Sequence, residues 1–258
     1  MTPSRLRART LGAALLALSA VVSVIAAAPS LARGGSSERV QGSGNIKLET
    51  RAPGHFSGVA LSLPAQLTLR IGNTESVTID TDANVLPLIE TVVENGTLHI
   101  RAARRNVNID TRRLSIVVQA RAIDKLALDG SGAIEADALR GAKMMIDLGG
   151  SGAIHVKRVD SEVLVINVGG SGKLKVGAGA AAQVTLSLAG SGDVDLGKLQ
   201  SVDASVNLAG SGDATLAVRE RLNVAITGSG DISYYGSPTL SMTVIGSGRA
   251  RQVGAAPR

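Results

Sequence analysis

The chain has 258 residues, 44% of them hydrophobic but only 1% aromatic, and it contains no cysteine. Its 27 Lys and Arg residues outnumber its 21 Asp and Glu residues, which gives a formal net charge of +6. With so few rings the core must be aliphatic, and sites that recognise ligands by ring stacking, such as sugar platforms and single-stranded nucleic-acid surfaces, are excluded. We therefore expect no nucleic-acid partner. The absence of cysteine also excludes a disulfide framework and a lipoprotein attachment site.

Residues 1–32 predict a signal peptide. An apolar run extends from Leu11 to Ala28 and follows three arginines, Arg5, Arg7 and Arg9. The small residues Ser30 and Ala32 then suit cleavage by signal peptidase after Ala32, although the run is long for a signal peptide and an uncleaved anchor is the alternative. Cleavage would remove three positive charges and no acid, leaving a net charge of +3 (6 − 3). We find no second apolar span and predict an exported protein, in the periplasm or on the cell surface.

Residues 33–41 are predicted to be a linker, and residues 42–122 a strand-rich N-terminal β region. Apolar and polar residues alternate, as in strands with one buried face, at 46–48, 59–63, 67–71, 77–79 and 114–118. Asn95 and Gly96 lie between two further runs and can supply the two positive φ angles of a tight turn. We therefore predict a β-hairpin centred on these two residues.

A basic group within this region is a candidate binding site. It comprises Arg101, Arg104, Arg105, Arg112 and Arg113, with Arg121 a few residues further on. Clustered arginines attract anionic envelope polymers such as lipopolysaccharide or teichoic acid. The alternative is a solvated strand face, because neither a nucleotide motif nor a stacking residue accompanies the charges.

A repeat organises residues 123–253. Gly-Ser-Gly recurs with spacings of 20, 20, 20, 20, 18 and 18 residues, and its first glycine falls at Gly130, Gly150, Gly170, Gly190, Gly210, Gly228 and Gly246. Apolar residues recur two, four and six places before that glycine, and again four and six places after it. Each period therefore predicts two short strands, each with one buried face, joined by Gly-Ser-Gly.

Two architectures could use this unit. Strand, glycine-rich turn and strand is also the pattern of a hairpin, so an antiparallel meander is one alternative. A parallel β-helix or solenoid better explains why the turn never changes, since it stacks equivalent residues of successive coils about 4.8 Å apart. We therefore predict an all-β protein with solenoid-like coils of 18 to 20 residues, followed by a tail at 254–258. The shorter coils are expected to lose two residues at the bend opposite the Gly-Ser-Gly corner.

The serines of the repeat are predicted to form a structural ladder in which each hydroxyl bonds its neighbour. A catalytic nucleophile is the rival interpretation. No motif places any of the three histidines, His55, His99 and His155, beside a particular serine, and a serine nucleophile needs such a base. We therefore predict no catalytic residue.

One place beyond the motif, three successive periods carry an acid, at Asp193, Asp213 and Asp231. On stacked coils these carboxylates would lie close together and repel one another. Either Lys173 and Arg249 on the flanking coils screen them, or a hard cation such as Ca²⁺ binds between them, since calcium prefers oxygen ligands. The three aspartates are candidate calcium ligands, and we predict no other cofactor.

The chain resembles a known family, the head GIN domain. The residues that carry the resemblance are Gly42-Ser43-Gly44-Asn45-Ile46, Glu49-Thr50-Arg51, Phe56-Ser57-Gly58-Val59, the run from Leu86 to Val93, Asn95-Gly96-Thr97-Leu98 and the serial Gly-Ser-Gly. This family is described as auto-transporter adhesins of bacterial cell envelopes. The resemblance implies an exported all-β protein with β-helix-like coils, no established catalytic activity and an adhesive role.

Three functions are open to such a chain. Our principal prediction is an exported cell-envelope binding module, adhesin-like and without catalytic activity, whose partner is an anionic envelope polymer or a surface protein. The first alternative is a carbohydrate-active β-helix enzyme that uses the three aspartates. The second is a purely structural protein that forms oligomers, because an uncapped terminal coil leaves a strand edge open to pairing between copies.

Overall fold

The computed structural model describes residues 38–255. The predicted signal peptide, residues 1–32, lies outside this range, as do residues 33–37 of the predicted linker and 256–258 of the predicted tail. Within 38–255 the chain forms β-strands and one 3₁₀ turn, Leu86–Leu88, which confirms the all-β prediction. None of these residues forms a helix of sufficient length and apolarity to cross a membrane.

Nine strands form the N-terminal half. They are β1 Glu38–Gln41, β2 Ile46–Arg51, β3 Gly58–Ser62, β4 Gln66–Ile71, β5 Ser76–Asp82, β6 Ile89–Glu94, β7 Thr97–Ala102, β8 Val107–Asp110 and β9 Leu114–Ala120. The predicted hairpin is confirmed, since β6 and β7 pair antiparallel and the turn residues Asn95 and Gly96 have φ angles of 50° and 76°. Strand β1 falls in the last residues of the predicted linker and pairs parallel with β8.

Ten strands form the repeat region. They are β10 Lys125–Gly130, β11 Ala133–Gly150, β12 Ala153–Gly170, β13 Lys173–Val176, β14 Gly179–Gly190, β15 Asp193–Gly210, β16 Asp213–Gly228, β17 Ile232–Tyr235, β18 Thr239–Gly246 and β19 Ala250–Gly254. Neighbouring coils pair parallel, residue on equivalent residue, as in Ile146 opposite Ile166. Parallel pairing confirms the solenoid, of about six turns, over the hairpin meander.

The N-terminal strands continue the same stack. Strands β3 and β4 pair parallel with β10 and β11, and β7 and β9 pair parallel with β3 and β4 in turn. Beyond them the direction reverses, because β6 pairs antiparallel with β7, β5 with β9, and β2 with β5. The parallel stack is therefore closed at this end by antiparallel strands.

The Gly-Ser-Gly corners need glycine for two reasons. At Gly190, which stands for the first glycine of every motif after the one at Gly130, φ is +126°, a conformation that residues with a side chain rarely adopt. A β-carbon there would also lie 2.2 Å from the carbonyl oxygen of Gly170 on the preceding coil. The backbone N–H of Ser191 donates to the same oxygen at 2.8 Å. The corner is thus a backbone-to-backbone contact between coils, with no room for side chains on the glycines.

The predicted ladder of serine hydroxyls is wrong. The motif's seven serines are exposed, and within 38–255 none of their hydroxyls bonds that of the neighbouring coil. The backbone N–H groups already satisfy the carbonyls of the corner, as Ser191 and Ser211 do with Gly170 and Gly190. Because the hydroxyls point to water, the corner does not depend on them.

The shorter coils lose their residues where the sequence predicted. Between β15 and β16 the register shifts, with Leu196 opposite Leu216 but Gln200 already opposite Ala217. A second, smaller shift follows at residues 201–203, and the net loss is two residues. Both shifts lie at the bend far from the corner, so the inward-facing positions of both strands keep their phase.

The core is a stack of aliphatic rows. Three inward positions before each corner are buried in coil after coil, as in the row Ile146, Ile166, Leu186, Val206 and Val224. Full burial of one such side chain contributes about 1.5–3 kcal/mol. The sum of many such contributions stabilises the core, although Phe56 is its single phenylalanine.

Candidate functional site

The basic group predicted from sequence is largely neutralised by acids. Arg101 lies on β7, where its Nε donates to Glu90 Oε2 and its Nη2 to Glu94 Oε1, both at 2.7 Å. These hydrogen bonds raise the pKa of Arg101 and lower that of Glu94. Arg101 is therefore committed to the β6–β7 hairpin rather than free for an anionic partner.

The remaining arginines divide into paired and unpaired ones. Arg104 Nη1 lies 3.9 Å from Glu38 Oε2 on β1, and Arg113 forms an ion pair with Asp80 on β5. Arg121 donates to a backbone carbonyl, that of Asn73, at 3.3 Å. In the described chain only Arg105 and Arg112 of the predicted group have no polar or charged partner, and Arg121 keeps its charge without an acidic partner.

Arg112 lines a surface cavity that the sequence did not predict. The cavity measures about 670 Å³ and lies between the loop at 41–44 and the loop at 110–113. At its floor the carboxylate of Asp82, 3% exposed, accepts hydrogen bonds from the N–H of Gly44 at 2.6 Å and from Thr111 Oγ1 at 2.5 Å. Asp82 thus ties the two loops together, and its carboxylate acts as a structural acceptor.

Sequence reasoning missed Asp82 because its partners are distant along the chain. It lies 38 residues from Gly44 and 29 from Thr111. The one available signal was Gly42, which belongs to a Gly-Ser-Gly outside the repeat. A β-carbon on Gly42 would lie 2.2 Å from Asp82 Oδ2, so that glycine is required by the carboxylate.

The structure brings the three candidate calcium ligands together on successive coils. Asp193 lies opposite Asp213, and Asp213 Oδ1 accepts the backbone N–H of Asp231 at 3.0 Å. Asp231 Oδ1 in turn accepts the N–H of Arg249 at 3.0 Å. The carboxylates of Asp213 and Asp231 are therefore already engaged by the next coil.

Cations flank this ladder at both ends, as the screening alternative predicted. Lys173 Nζ lies 3.4 Å from Asp193 Oδ2, and Arg249 Nη2 lies 3.5 Å from Asp231 Oδ2. Between residues 38 and 255 no three His, Asp or Glu side chains are grouped closely enough to hold a metal ion. The geometry thus supports screening by neighbouring charges, and calcium binding stays a prediction.

The same face carries further ion pairs between coils. Lys175 Nζ lies 3.0 Å from Asp195 Oδ2, and Lys157 Nζ lies 2.7 Å from Asp137 Oδ1. Burial of Asp195 opposes its ionisation, but hydrogen bonds from Lys175 and from the N–H of Gly197 outweigh burial and lower its pKa. We call this surface, formed by the strand segments that follow each corner, the charged face. Its charges largely neutralise one another.

From the third corner onward, the strand segments that precede the corners form a second surface of opposite character. On five successive coils their outward positions hold no charged residue. These positions are the odd-numbered residues of 165–169, 185–189, 205–209, 223–227 and 241–245. We call this surface the neutral face.

The neutral face is regular because its residues are stacked in rows. One row runs through Asn167, Ser187, Asn207, Ala225 and Thr243, each opposite the next. The neighbouring row contains Gly169, Ala189 and Ala209, and their small size leaves two shallow depressions of about 260 and 370 Å³. The larger depression extends to Asp147 on the preceding coil. From the strand spacing and the residue rise, the face measures about 19 by 13 Å.

The signal for this surface was present in the sequence, in the residues between the buried positions of each repeat. The inward residues were used to predict the strands, whereas the outward ones were not compared between periods. Their shared lack of charge becomes meaningful only when parallel stacking places them side by side. The face is bordered on one side by the Arg221–Asp203 ion pair. On the preceding coil it is bordered by Asp147, whose Oδ1 accepts a hydrogen bond from Asn167 Nδ2 at 2.8 Å.

The histidines take no part in a catalytic arrangement with the repeat serines. His55 Nδ1 lies 2.7 Å from Glu75 Oε1, and His99 Nε2 lies 4.0 Å from Glu94 Oε2. His155 lies in the outward row of the charged face, opposite Lys175. In the described part of the chain no histidine is hydrogen-bonded to a serine.

The chain is similar to known proteins in sequence and in fold. A family model described as "putative auto-transporter adhesin, head GIN domain" matches residues 55–238. A search of the curated proteins found no match. Among solved structures, a putative adhesin from Bacteroides fragilis NCTC 9343 has a TM-score of 0.78 at 20% identity, over 83% of this chain and 100% of that one.

Two further structures come from Parabacteroides distasonis ATCC 8503. One, described as a putative lipid binding protein, has a TM-score of 0.70 at 24% identity, over 84% of this chain and 100% of that one. The other, described as a putative adhesin, has a TM-score of 0.65 at 18% identity over 84% and 100%. At these identities the structural likeness establishes the fold.

Proposed function

This chain belongs to the family described as putative auto-transporter adhesin, head GIN domain, and from that premise we propose that it is an exported, non-catalytic envelope module that binds a surface partner. The family description supports adhesion and export, and the sequence of residues 1–32 supports export independently. The observation that carries the proposal further is the neutral face. We propose that this face is where the partner binds.

The chemistry of the neutral face suits a contact surface. Charged groups are costly to remove from water unless they are well paired, whereas hydroxyls, amides and methyl groups lose less on burial when hydrogen bonds are replaced. The face presents such groups in straight rows on a rigid sheet. Its partner is accordingly a surface protein or polymer whose own contact surface is uncharged.

The alternative site on the same protein is the pair of unpaired arginines, Arg105 and Arg112. These residues favour an anionic envelope polymer, because free guanidinium groups attract phosphates and carboxylates. Only two such cations are available, and the other arginines of the group have partners. The two sites predict opposite responses to salt, since contacts between exposed charges are screened and uncharged contacts are not.

The lipid-binding name of one structural neighbour is not carried over to this chain. A lipid needs an apolar cavity or groove of some depth. The interior of the solenoid is filled by buried side chains such as Leu186 and Val206, and the depressions on the neutral face are shallow. The structure therefore favours contact with a surface over enclosure of a small molecule.

Binding to washed cell envelopes tests the proposal. The labelled protein is compared with Ala209→Glu, which puts a charge on the central coil of the neutral face, in the row beside the corner. Ala153→Glu is the matched control, because Ala153 is exposed on the charged face. We expect Ala209→Glu to lower the bound fraction at least tenfold and Ala153→Glu to leave it unchanged, at both 50 mM and 500 mM salt.

The outcome that contradicts the neutral face is equally specific. Binding that falls steeply with salt and is lost in Arg112→Ala, but not in Ala209→Glu, would assign the contact to the basic residues and an anionic polymer. Failure of all proteins to bind envelopes from any growth condition would contradict an envelope partner.

A further inference from the structure

Within residues 38–255, the last coil of the solenoid leaves one edge of β18, one edge of β19 and part of the core uncovered. Strand β18 pairs with β16 on one side, and within 38–255 no strand pairs with its other edge. Its inward residues Leu240 and Met242 are 36% and 47% exposed, whereas their equivalents one coil earlier, Leu222 and Val224, are 0% and 4% exposed. The aliphatic rows of the core are therefore open at this end.

The chemistry of this edge is unusual for an exposed strand. Native sheet edges commonly carry charges, prolines or bulges that discourage pairing with another chain. Strand β2, which also pairs on a single edge, places Lys47, Glu49 and Arg51 along its length. Strand β18 has no charged residue between Thr239 and Gly246, and its outward Ile245 is 67% exposed. The edge of β18 therefore lacks the protection that the edge of β2 has, whereas β19, which also pairs on a single edge, carries Arg251.

We propose that β18 pairs antiparallel with β18 of a second copy, about a two-fold axis that passes through Met242. In this register Met242 lies opposite its own copy, Leu240 opposite Val244, and Ser241 opposite Thr243. Directly opposite residues of an antiparallel pair project from the same face. The inward residues of the two copies would thus meet and close both cores, while the hydroxyl residues meet on the outer surface.

The absence of charge is what selects a second copy as the occupant. In the proposed pair each residue of β18 lies opposite a residue of the same strand in the second copy, so a charge on β18 would be held against an uncharged residue or, at the axis, against its own copy. The corresponding strand segment one coil earlier begins with Arg221, and the one before it with Asp203. At the same position β18 has Thr239. Among the described strands that pair on a single edge, β18 is thus the one without a charged residue, and this composition permits self-pairing.

Sedimentation velocity of the protein purified from cells expressing the full chain tests the pairing. We expect a mass that rises from monomer to dimer as the concentration is raised from about 1 to 100 μM, the range of moderate affinity. Ser241→Lys with Thr243→Lys, which charges the outward side of β18 without touching the core, should leave a monomer at all these concentrations. Ala225→Lys, in the same outward row on β16, is the matched control and should still dimerise.

A cysteine on the proposed axis gives an independent readout, because the chain has no cysteine of its own. Opposite residues in an antiparallel pair have Cα atoms about 4.5–5.5 Å apart, which suits a disulfide. Met242→Cys should therefore form a disulfide-linked dimer rapidly under mild oxidation, and Asn207→Cys, an exposed control on an internal strand, should not.

Three results would overturn the proposal. A monomeric mass up to 100 μM without cross-linking of Met242→Cys would show that the edge stays unpaired. Equal cross-linking of Met242→Cys and Asn207→Cys would show random collision. A dimer that persists in the doubly charged β18 variant would place the interface elsewhere on the molecule.

Discussion

Single glycines at the corners decide whether one coil can stack on the next. At Gly190 the positive φ and the 2.2 Å approach to the Gly170 carbonyl act together, so a side chain would both strain its own backbone and push the coils apart. The neighbouring Ser191 contributes its backbone N–H to the corner and leaves its side chain in water. The two residues are adjacent in sequence and repeated equally often, yet only the glycine is required by the geometry.

Substitution at the corner should show this difference directly. Gly190→Val should lower the free energy of unfolding by about 3 kcal/mol or more, since strain and overpacking each cost about 1–3 kcal/mol. Ser191→Ala should change it by no more than about 0.5 kcal/mol, as for other exposed sites. Urea denaturation followed by circular dichroism measures both. Equal losses in the two variants would mean that the serine side chain has a role that the structure does not show.

Residues of this kind mark the limit of what the sequence could predict. The repeat predicted the glycine corners because the same constraint recurs at a fixed spacing. It did not predict that the serine hydroxyls make no hydrogen bond between coils. A repeated residue type does not show whether its side chain or its backbone makes the contact. Asp82 went unnoticed for a different reason, since its partners Gly44 and Thr111 are joined to it only by the fold.

At the scale of the strand, each coil divides into two segments with different outer surfaces. From the third corner onward the segments before the corner form the neutral face, and the segments after the corners form the charged face, although both contribute the same kind of inward row. Alternation predicted the buried side of both segments correctly. The character of the outer surfaces could be assigned only after the parallel register was known. Each row consists of residues from successive coils, which are far apart in sequence and become neighbours through parallel pairing.

The aspartate ladder on the charged face is where calcium would bind if it binds at all. Calcium would have to replace the hydrogen bonds that Asp213 and Asp231 accept from the next coil. Binding predicts a melting temperature that rises by about 5 to 10 °C at a hundredfold excess over the dissociation constant. This rise should disappear in Asp213→Asn and persist in Asp137→Asn, an acid elsewhere on the same face. A melting temperature that ignores calcium would leave the ladder as a set of screened charges.

At the scale of the molecule, the coils form a stack in which each one contacts its neighbours. The stack is continuous through the predicted boundary at residue 122, since β10 pairs with β3 on one side and with β11 on the other. The sequence predicted the coils of 123–253, where the period is visible. It could not predict that β3, β4, β7 and β9 extend the same stack, because those strands lack the repeated corner.

A stack held by neighbour contacts should tolerate the loss of one whole coil. Deletion of residues 191–210 joins Gly190 to Ser211 and brings β14 against β16 with equivalent residues still opposite one another. We expect a cooperatively unfolding β protein, since repeat proteins gain stability from nearest-neighbour contacts. Deletion of residues 191–200 removes half a coil and should prevent folding. Thermal melts of the two deletions decide the matter, and similar loss of structure in both would count against neighbour-only stacking.

The small size of the neutral face has a consequence for how strongly the protein adheres. A surface of about 19 by 13 Å is roughly a third of the 800 Å² that each side of a stable interface usually buries, so one copy should hold its partner weakly. Pairing through β18 would set two such faces on the same side of one continuous sheet, with the second partner site held at high effective concentration. Bivalent attachment of this kind commonly strengthens retention by 10²–10⁴-fold without any new contact. Adhesion would then depend on how much of the protein is exported. At low concentration the dimer dissociates and bivalent attachment is lost, although the affinity of each single face is unchanged.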